Sequence, residues 1–192
     1  MPLINVTLPD GTVNEYTSGI TCAEVITDAL GRKHGCLAAR VDGVERDMAT
    51  ELEENCSVEG IFSESDEGIH ILRHSAAHLL AQAVTSIYPN AKPTIGPAID
   101  RGFYYDFAME AITESDLKPI QKKMQELARK NFTVERIELS DEELQDHFAD
   151  NPYKLEIIND KIEDGGGSTI YKQDDWYVLC LGPHVPNTSR LM

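Results

Sequence analysis

The sequence predicts an α+β protein in two parts, and three observations predict it. Apolar residues alternate with polar ones at Ile4, Val6 and Leu8, the period of a half-buried strand. Thr21 stands three residues before Glu24, a capping box, and Gly31 sits where a helix opened there would end. Positions 69, 72, 76, 79, 80, 83, 84 and 87 are apolar, a helical stripe closed by Pro89.

The elements follow in order. Residues 3–8 form the first strand, Pro9-Asp10-Gly11 turns, and residues 12–16 return as the second strand of a hairpin. The capped helix covers 22–30. Residues 37–41, the turn Asp42-Gly43 and the apolar pair Ile61-Phe62 complete a β-β-α-β-β order. That order is a ubiquitin-like β-grasp over residues 1–62, a module that ordinarily binds a partner and carries no chemistry. The polar stretch 63–68 marks the boundary, and residues 63–192 form the second domain. There, a helix over 69–88 precedes a Gly-, Pro- and aromatic-rich segment (93–107) read as strands with tight turns. A second helix is expected over about 114–130, with Pro119 near its start, then a strand over 132–139. Ser140 and Glu143 form another capping box for a third helix to about Phe148. Residues 152–158 read as a helical turn or short helix. Gly165-Gly166-Gly167-Ser168 reads as a flexible loop leading into strands at 169–172 and 176–181.

Composition narrows the function classes. With 192 residues, 41% hydrophobic and 26% charged, the chain can bury a core or two small ones. No apolar run reaches membrane-spanning length, so no membrane partner is expected. The first residues lack a basic region followed by an apolar core, so no signal peptide is read. Cys22, Cys36, Cys56 and Cys180 have no knuckle spacing and read as reduced thiols of a cytoplasmic protein. A net charge of −16 argues against non-specific nucleic-acid binding. RNA contact must then rest on local groups such as Arg32-Lys33, Lys118, Lys122-Lys123 and Arg129-Lys130, each of which equally suits a solvated helix face.

Two constellations carry the chemistry. His74 and His78 are four apart on the predicted helix, so both imidazoles share one face. Such a pair alone is weak evidence, and His70, a turn earlier, reads as surface. Cys180 and His184 are separated by Leu181-Gly182-Pro183, a turn that can bring thiol and imidazole together. By ligand type the four residues suit a tetrahedral zinc site, and equally a metal-free site that polarises a water for ester hydrolysis.

The blocks Arg73-His74-Ser75-Ala76-Ala77-His78-Leu79-Leu80, Gly96-Pro97, Gly102-Phe103-Tyr104-Tyr105-Asp106, Tyr153-Lys154 and Gly182-Pro183-His184-Val185-Pro186-Asn187 resemble the editing domain of bacterial threonyl-tRNA synthetases. The β-grasp in front resembles their TGS module, and the resemblance runs through essentially the whole chain. It implies an editing pocket lined by His74, His78, Lys154, Cys180 and His184, with no metal and no cofactor for editing. The implied reaction hydrolyses serine mischarged on threonine tRNA, whose acceptor arm is the implied partner. A site built for threonine rejects serine by only about 1–3 kcal/mol, the worth of one methylene-sized group. Hence the second, hydrolytic site. ATP, zinc and homodimerisation are implied only for a synthetase core that this chain lacks, so aminoacylation by it alone is not expected. Two positions depart from the family pattern, which places an acid two residues before the cysteine and an arginine after it. Here they are Val178 and Leu181. A non-catalytic tRNA-clasping module and a structural zinc-binding domain are the competing readings.

Overall fold

The computed structural model describes residues 2–163 and 169–192, so the glycine-rich stretch 165–168 lies outside the described residues. By packing, the chain divides into one unit of Met1–Leu72 with Gly182–Pro186, and another of Arg73–Leu181 with Asn187–Met192.

In the first unit, β1 (Leu3–Thr7) pairs antiparallel with β2 (Val13–Thr17), and a two-residue β3 (Ile20–Thr21) leads into α1 (Cys22–Leu30). β4 (Cys36–Val41), β5 (Val44–Asp47), β6 (Glu51–Leu52) and β7 (Cys56–Phe62) follow. The main sheet has the order β2-β1-β7-β4-β5, with β1 and β7 parallel, and β3 pairs with β6 apart from it. This is the expected β-grasp, with β5 at the edge of the main sheet and the two short strands β3 and β6 added. Ile4 and Val6 face inward on alternate positions of β1 and meet Cys22, Val25 and Ile26 of α1 in one core. The Thr21 hydroxyl accepts from the Glu24 N–H at 3.2 Å, while the Glu24 carboxylate accepts from the Thr21 N–H at 2.9 Å. Two of the free N–H groups at the helix start are thereby satisfied.

α2 (Asp66–Ile87) begins three residues earlier than the apolar stripe suggests. The cause is Ser65, whose hydroxyl accepts from the Gly68 N–H at 3.0 Å and donates to the Phe62 carbonyl at 2.9 Å. A Cβ on Gly68 would sit 1.9 Å from that same carbonyl oxygen, so only glycine allows the helix to start so close to β7. Arg40 adds an ion pair to Glu67 at 3.2 Å. The opening turns of α2 therefore pack with the first unit, and the packing division falls inside the helix. The limits 1–62 and 63–192 remain a proposal resting on chain composition.

The second unit continues with the short strands β8 (Lys92–Pro93), β9 (Ala98–Ile99), β10 (Gly102–Phe103) and β11 (Phe107–Ala108), paired β8 with β11 and β9 with β10. α3 (Glu114–Arg129) starts with Thr113 and Asp116 in a capping box, which fixes its beginning and leaves Pro119 inside the helix. β12 (Val134–Glu138), α4 (Asp141–His147) with its Ser140–Glu143 box, and α5 (Pro152–Glu163) follow. The antiparallel pair β13 (Thr169–Gln173) and β14 (Trp176–Leu179) completes a sheet of order β12-β13-β14, and a 3-10 turn covers Thr188–Leu191.

Period-two alternation divides this sheet between two tasks. Ile170, Tyr177 and Leu179 pack with Leu144, Phe148 and Ile158 of the α4–α5 segment. Thr169, Tyr171 and Gln173 point to the opposite face. On α2, Leu79 and Ala83 join Leu127 and Ala128 of α3, and Val84 joins Ile120. Among the described residues, no helix is long and apolar enough to cross a membrane.

The α1 cap gives a measurable pH signature. Bonds from the Thr21 amide, then from its hydroxyl, hold the Glu24 carboxyl below its ordinary value of 4.5. A carboxyl lowered in the folded state stabilises above its unfolded pKa and loses that contribution as pH falls through the folded pKa. Glu24→Ala is therefore expected to lower stability to urea at pH 7, and the gap from wild type should close as pH falls below 4.5. Thr21→Ala should cost about 1 kcal/mol at neutral pH in the same measurement.

Candidate functional site

α2 presents a polar stripe at successive i, i+4 positions: His74, His78 and Gln82. Apolar contacts with α3 occupy another face of the helix, so this stripe is left for the sheet. His78 is 5% exposed and Gln82 is 4% exposed, while His74 is half-buried. The two imidazole rings lie 4.9 Å apart between centroids, inclined at 55°.

Opposite them, Cys180 follows β14 directly. Its N–H donates to the Thr169 carbonyl at 3.1 Å, and the Thr169 hydroxyl donates to the Cys180 carbonyl. These bonds carry the β13–β14 ladder one residue past the strand and fix the thiol. His74 Nε2 lies 3.0 Å from Cys180 Sγ. A neutral ring accepts the thiol proton there, and a protonated ring donates to a thiolate. Trp176 stands edge-on to His78, with centroids 6.4 Å apart. The ligand atoms of His74, His78 and Cys180 fall within 4.8 Å of one another. Two ring nitrogens and one sulfur are zinc-type donors, which zinc takes at about 2.0–2.3 Å.

The structure places the sequence-derived residues as follows. His74, His78 and Cys180 come together. Lys154 is 4% exposed in the first turn of α5, where its N–H donates to the Asn151 carbonyl at 3.1 Å. Asn151 in turn donates to the Pro93 carbonyl at 2.9 Å. His184 is buried in the segment Gly182–Pro186 that packs with the first unit, and its backbone N–H donates to an Asp47 carboxylate oxygen at 2.9 Å. Val178 is 1% exposed on the face of β14 shared with Trp176 and Cys180, whereas Leu181 is 62% exposed.

Three residues were not singled out from the sequence. Tyr105 has its hydroxyl pushed well above the ordinary phenol value, first by burial and then by the charge of Cys180. Its motif was legible, but its pairing with Gly96, nine residues earlier, was not. Gln82 and Gln173 are the others. Gln173 Nε2 donates to Gln82 Oε1 at 2.8 Å, and Gln82 Nε2 donates to the Gln173 carbonyl at 3.3 Å. Gln82 continues the histidine spacing and could have been read from it. Gln173 had no local signal.

Comparison with known proteins sharpens the picture. Residues 4–61 match the TGS domain family. Along 98% of its length the chain is 42% identical to a threonine–tRNA ligase of Streptococcus suis (strain 05ZYH33), and 41% identical to that of Streptococcus pneumoniae (strain Hungary19A-6). The chain carries a TGS domain and corresponds to the N-terminal region of threonine–tRNA ligases. It spans about 30% of the length of these relatives.

Gly96 offers a direct test of the Tyr105 placement. A Cβ there would lie 2.0 Å from Tyr105 Cδ2 and 2.5 Å from Cε2, so the ring must move. Gly96→Ala is expected to cost about 1–3 kcal/mol, as overpacking does, measured by urea denaturation. A variant as stable as wild type would show that the ring does not rest on Gly96.

Proposed function

We propose that the second unit is a proofreading hydrolase acting on serine esterified to threonine tRNA, and that the TGS unit helps to hold the acceptor arm. The observation that carries this reading is the contact of His74 with Cys180, with His78 packed against His74. It is built on a helix and a strand end in a chain similar to tRNA ligases. In this reading His74 and His78 hold a water and take its proton. The water oxygen attacks the ester carbonyl carbon, the carbon–oxygen bond to the ribose breaks, and the ribose oxygen leaves with a proton. Lys154 supplies positive charge to the ribose hydroxyl or the developing oxyanion. Cys180 shapes the pocket that admits serine and excludes the extra methyl of threonine. Aminoacylation, with its ATP and zinc, and dimerisation are assigned to the remaining length of such enzymes.

RNA attraction in an acidic chain rests on few groups, some already engaged. Lys123 and Lys130 both contact the Glu126 carboxylate, at 3.2 and 3.6 Å. Binding is therefore weak and strongly reduced by salt.

The experiment is deacylation of serine-charged threonine tRNA by the full chain. Release of serine, sparing of threonine-charged tRNA and a loss of about a hundredfold in His74→Ala are expected, the size of a lost general base. Threonine released as fast as serine, or an undiminished His74→Ala variant, would overturn the assignment.

A second reading has its own observation, the three zinc-type donors within 4.8 Å. If a metal does the chemistry, purified protein should contain zinc in stoichiometric amount, and chelation should abolish hydrolysis. The expected result is activity indifferent to chelator.

A further inference from the structure

We propose that Gln82 and Gln173 are positioning residues that set the register of α2 against the β13–β14 hairpin, and through it the contact of His74 with Cys180. The inference rests on the proposed hydrolytic site, and it concerns two residues that lie outside the candidate set.

Three rungs join the helix to the hairpin. At the first, Gln82 exchanges hydrogen bonds with Gln173, the residue paired across the hairpin with Trp176. At the second, His78 meets the edge of Trp176. At the third, His74 meets Cys180. Helix α2 and strand β14 therefore run antiparallel, with His78 at Trp176 and His74 at Cys180.

The first rung is the directional one. Apolar contacts tolerate sliding, because dispersion and burial have no preferred angle. A buried amide pair does not, since losing one bond leaves a desolvated donor or acceptor at about 1–3 kcal/mol. Gln82 and Gln173 are 4% and 5% exposed, so water cannot readily substitute. A helical slip large enough to separate the pair would also carry His74 away from the thiol, because both lie on the same continuous helix. The clamp sits one turn from His78 and two from His74 and acts through backbone rigidity without touching substrate.

Three variants of the full chain separate positioning from plain stability. Gln82→Met keeps the volume and orphans the Gln173 amide. Gln82→Met with Gln173→Met replaces both side-chain amides by apolar groups and leaves only the Gln173 main-chain carbonyl without the Gln82 donor, so it costs less than orphaning the buried Gln173 amide. Gln173→Met alone completes the cycle. Each single variant is expected to melt lower and to lose about tenfold in kcat with KM held within about twofold, as misalignment does. In the double variant the melting temperature should return toward wild type while kcat stays low. Recovery of kcat together with stability would overturn the proposal, as would single variants with unchanged kcat. An activity-independent readout accompanies these: the nuclear Overhauser contact between the His74 ring and the Cys180 β protons. It should be strong in wild type and weakened at least about threefold in all three variants. If wild type shows no deacylation, the proposed reaction fails while this contact still decides the register. A contact unchanged in the double variant would sink the inference whatever the activity.

Discussion

The second unit depends on one constraint, the burial of polar groups by α2 on the side turned to the sheet. Ser75, His78 and Gln82 are all buried in a helix that packs against α3 through apolar contacts. Each such group costs free energy unless it finds a partner, so the facing hairpin must present complementary atoms at matching heights. It does so with the Gln173 amide and carbonyl and the Cys180 sulfur, and the Trp176 edge covers His78. The arrangement is over-determined for a core and under-suited to one, since leucines would pack there at less risk.

The two units meet their stability needs differently. The β-grasp closes one core from both sheet and helix, with Val6, Cys22, Val25 and Cys36 fully buried. Burial raises the Cys22 thiol to about 11, with the nearby Cys56 adding to the shift, so it packs as a small apolar residue. Among the described residues, the second unit spreads its apolar contacts over several smaller clusters. Thr188 braces one of them: its hydroxyl accepts from the Phe132 N–H at 3.0 Å and donates to the Leu127 carbonyl at 3.2 Å. A unit built this way can leave one helix face to polar work.

What the sequence shows plainly is local. The Thr21–Glu24 and Ser140–Glu143 boxes and the alternation at Ile4 and Val6 each act over a few residues, and they reappear at the expected positions. Helix spacing likewise placed both histidines on one face. The start of α2 was harder, because a serine hydroxyl and a glycine without Cβ set it, not the apolar stripe. Pro119 shows the reverse case, since the Thr113–Asp116 cap holds the helix start in spite of it. Contacts of long sequence separation were illegible without a resemblance to guide them. His74 and Cys180 are 106 residues apart, and Gln82 and Gln173 are 91 apart. No periodicity in a single sequence encodes such a pairing.

Val178 tests how far the resemblance reaches. The family pattern implies an acid at this position, but here the side chain is 1% exposed and apolar, between Trp176 and Cys180 on one strand face. A carboxylate so buried would need a cation or several N–H donors to remain ionised. Valine removes that demand and also removes a fixed negative charge that a substrate ammonium could use. A serine ester entering this site must then find its recognition in neutral acceptors, such as carbonyl oxygens or the Tyr105 hydroxyl, which burial keeps protonated. An ammonium donating to a neutral oxygen still makes a charge-assisted hydrogen bond but forgoes the Coulomb attraction of a carboxylate. The loss falls on ground-state binding, while the imidazole pair that would handle the water is intact. If the proposed reaction holds, the departure at Val178 would weaken the grip on the amino group more than the chemistry, and would leave steric exclusion of the threonine methyl as the main source of selectivity.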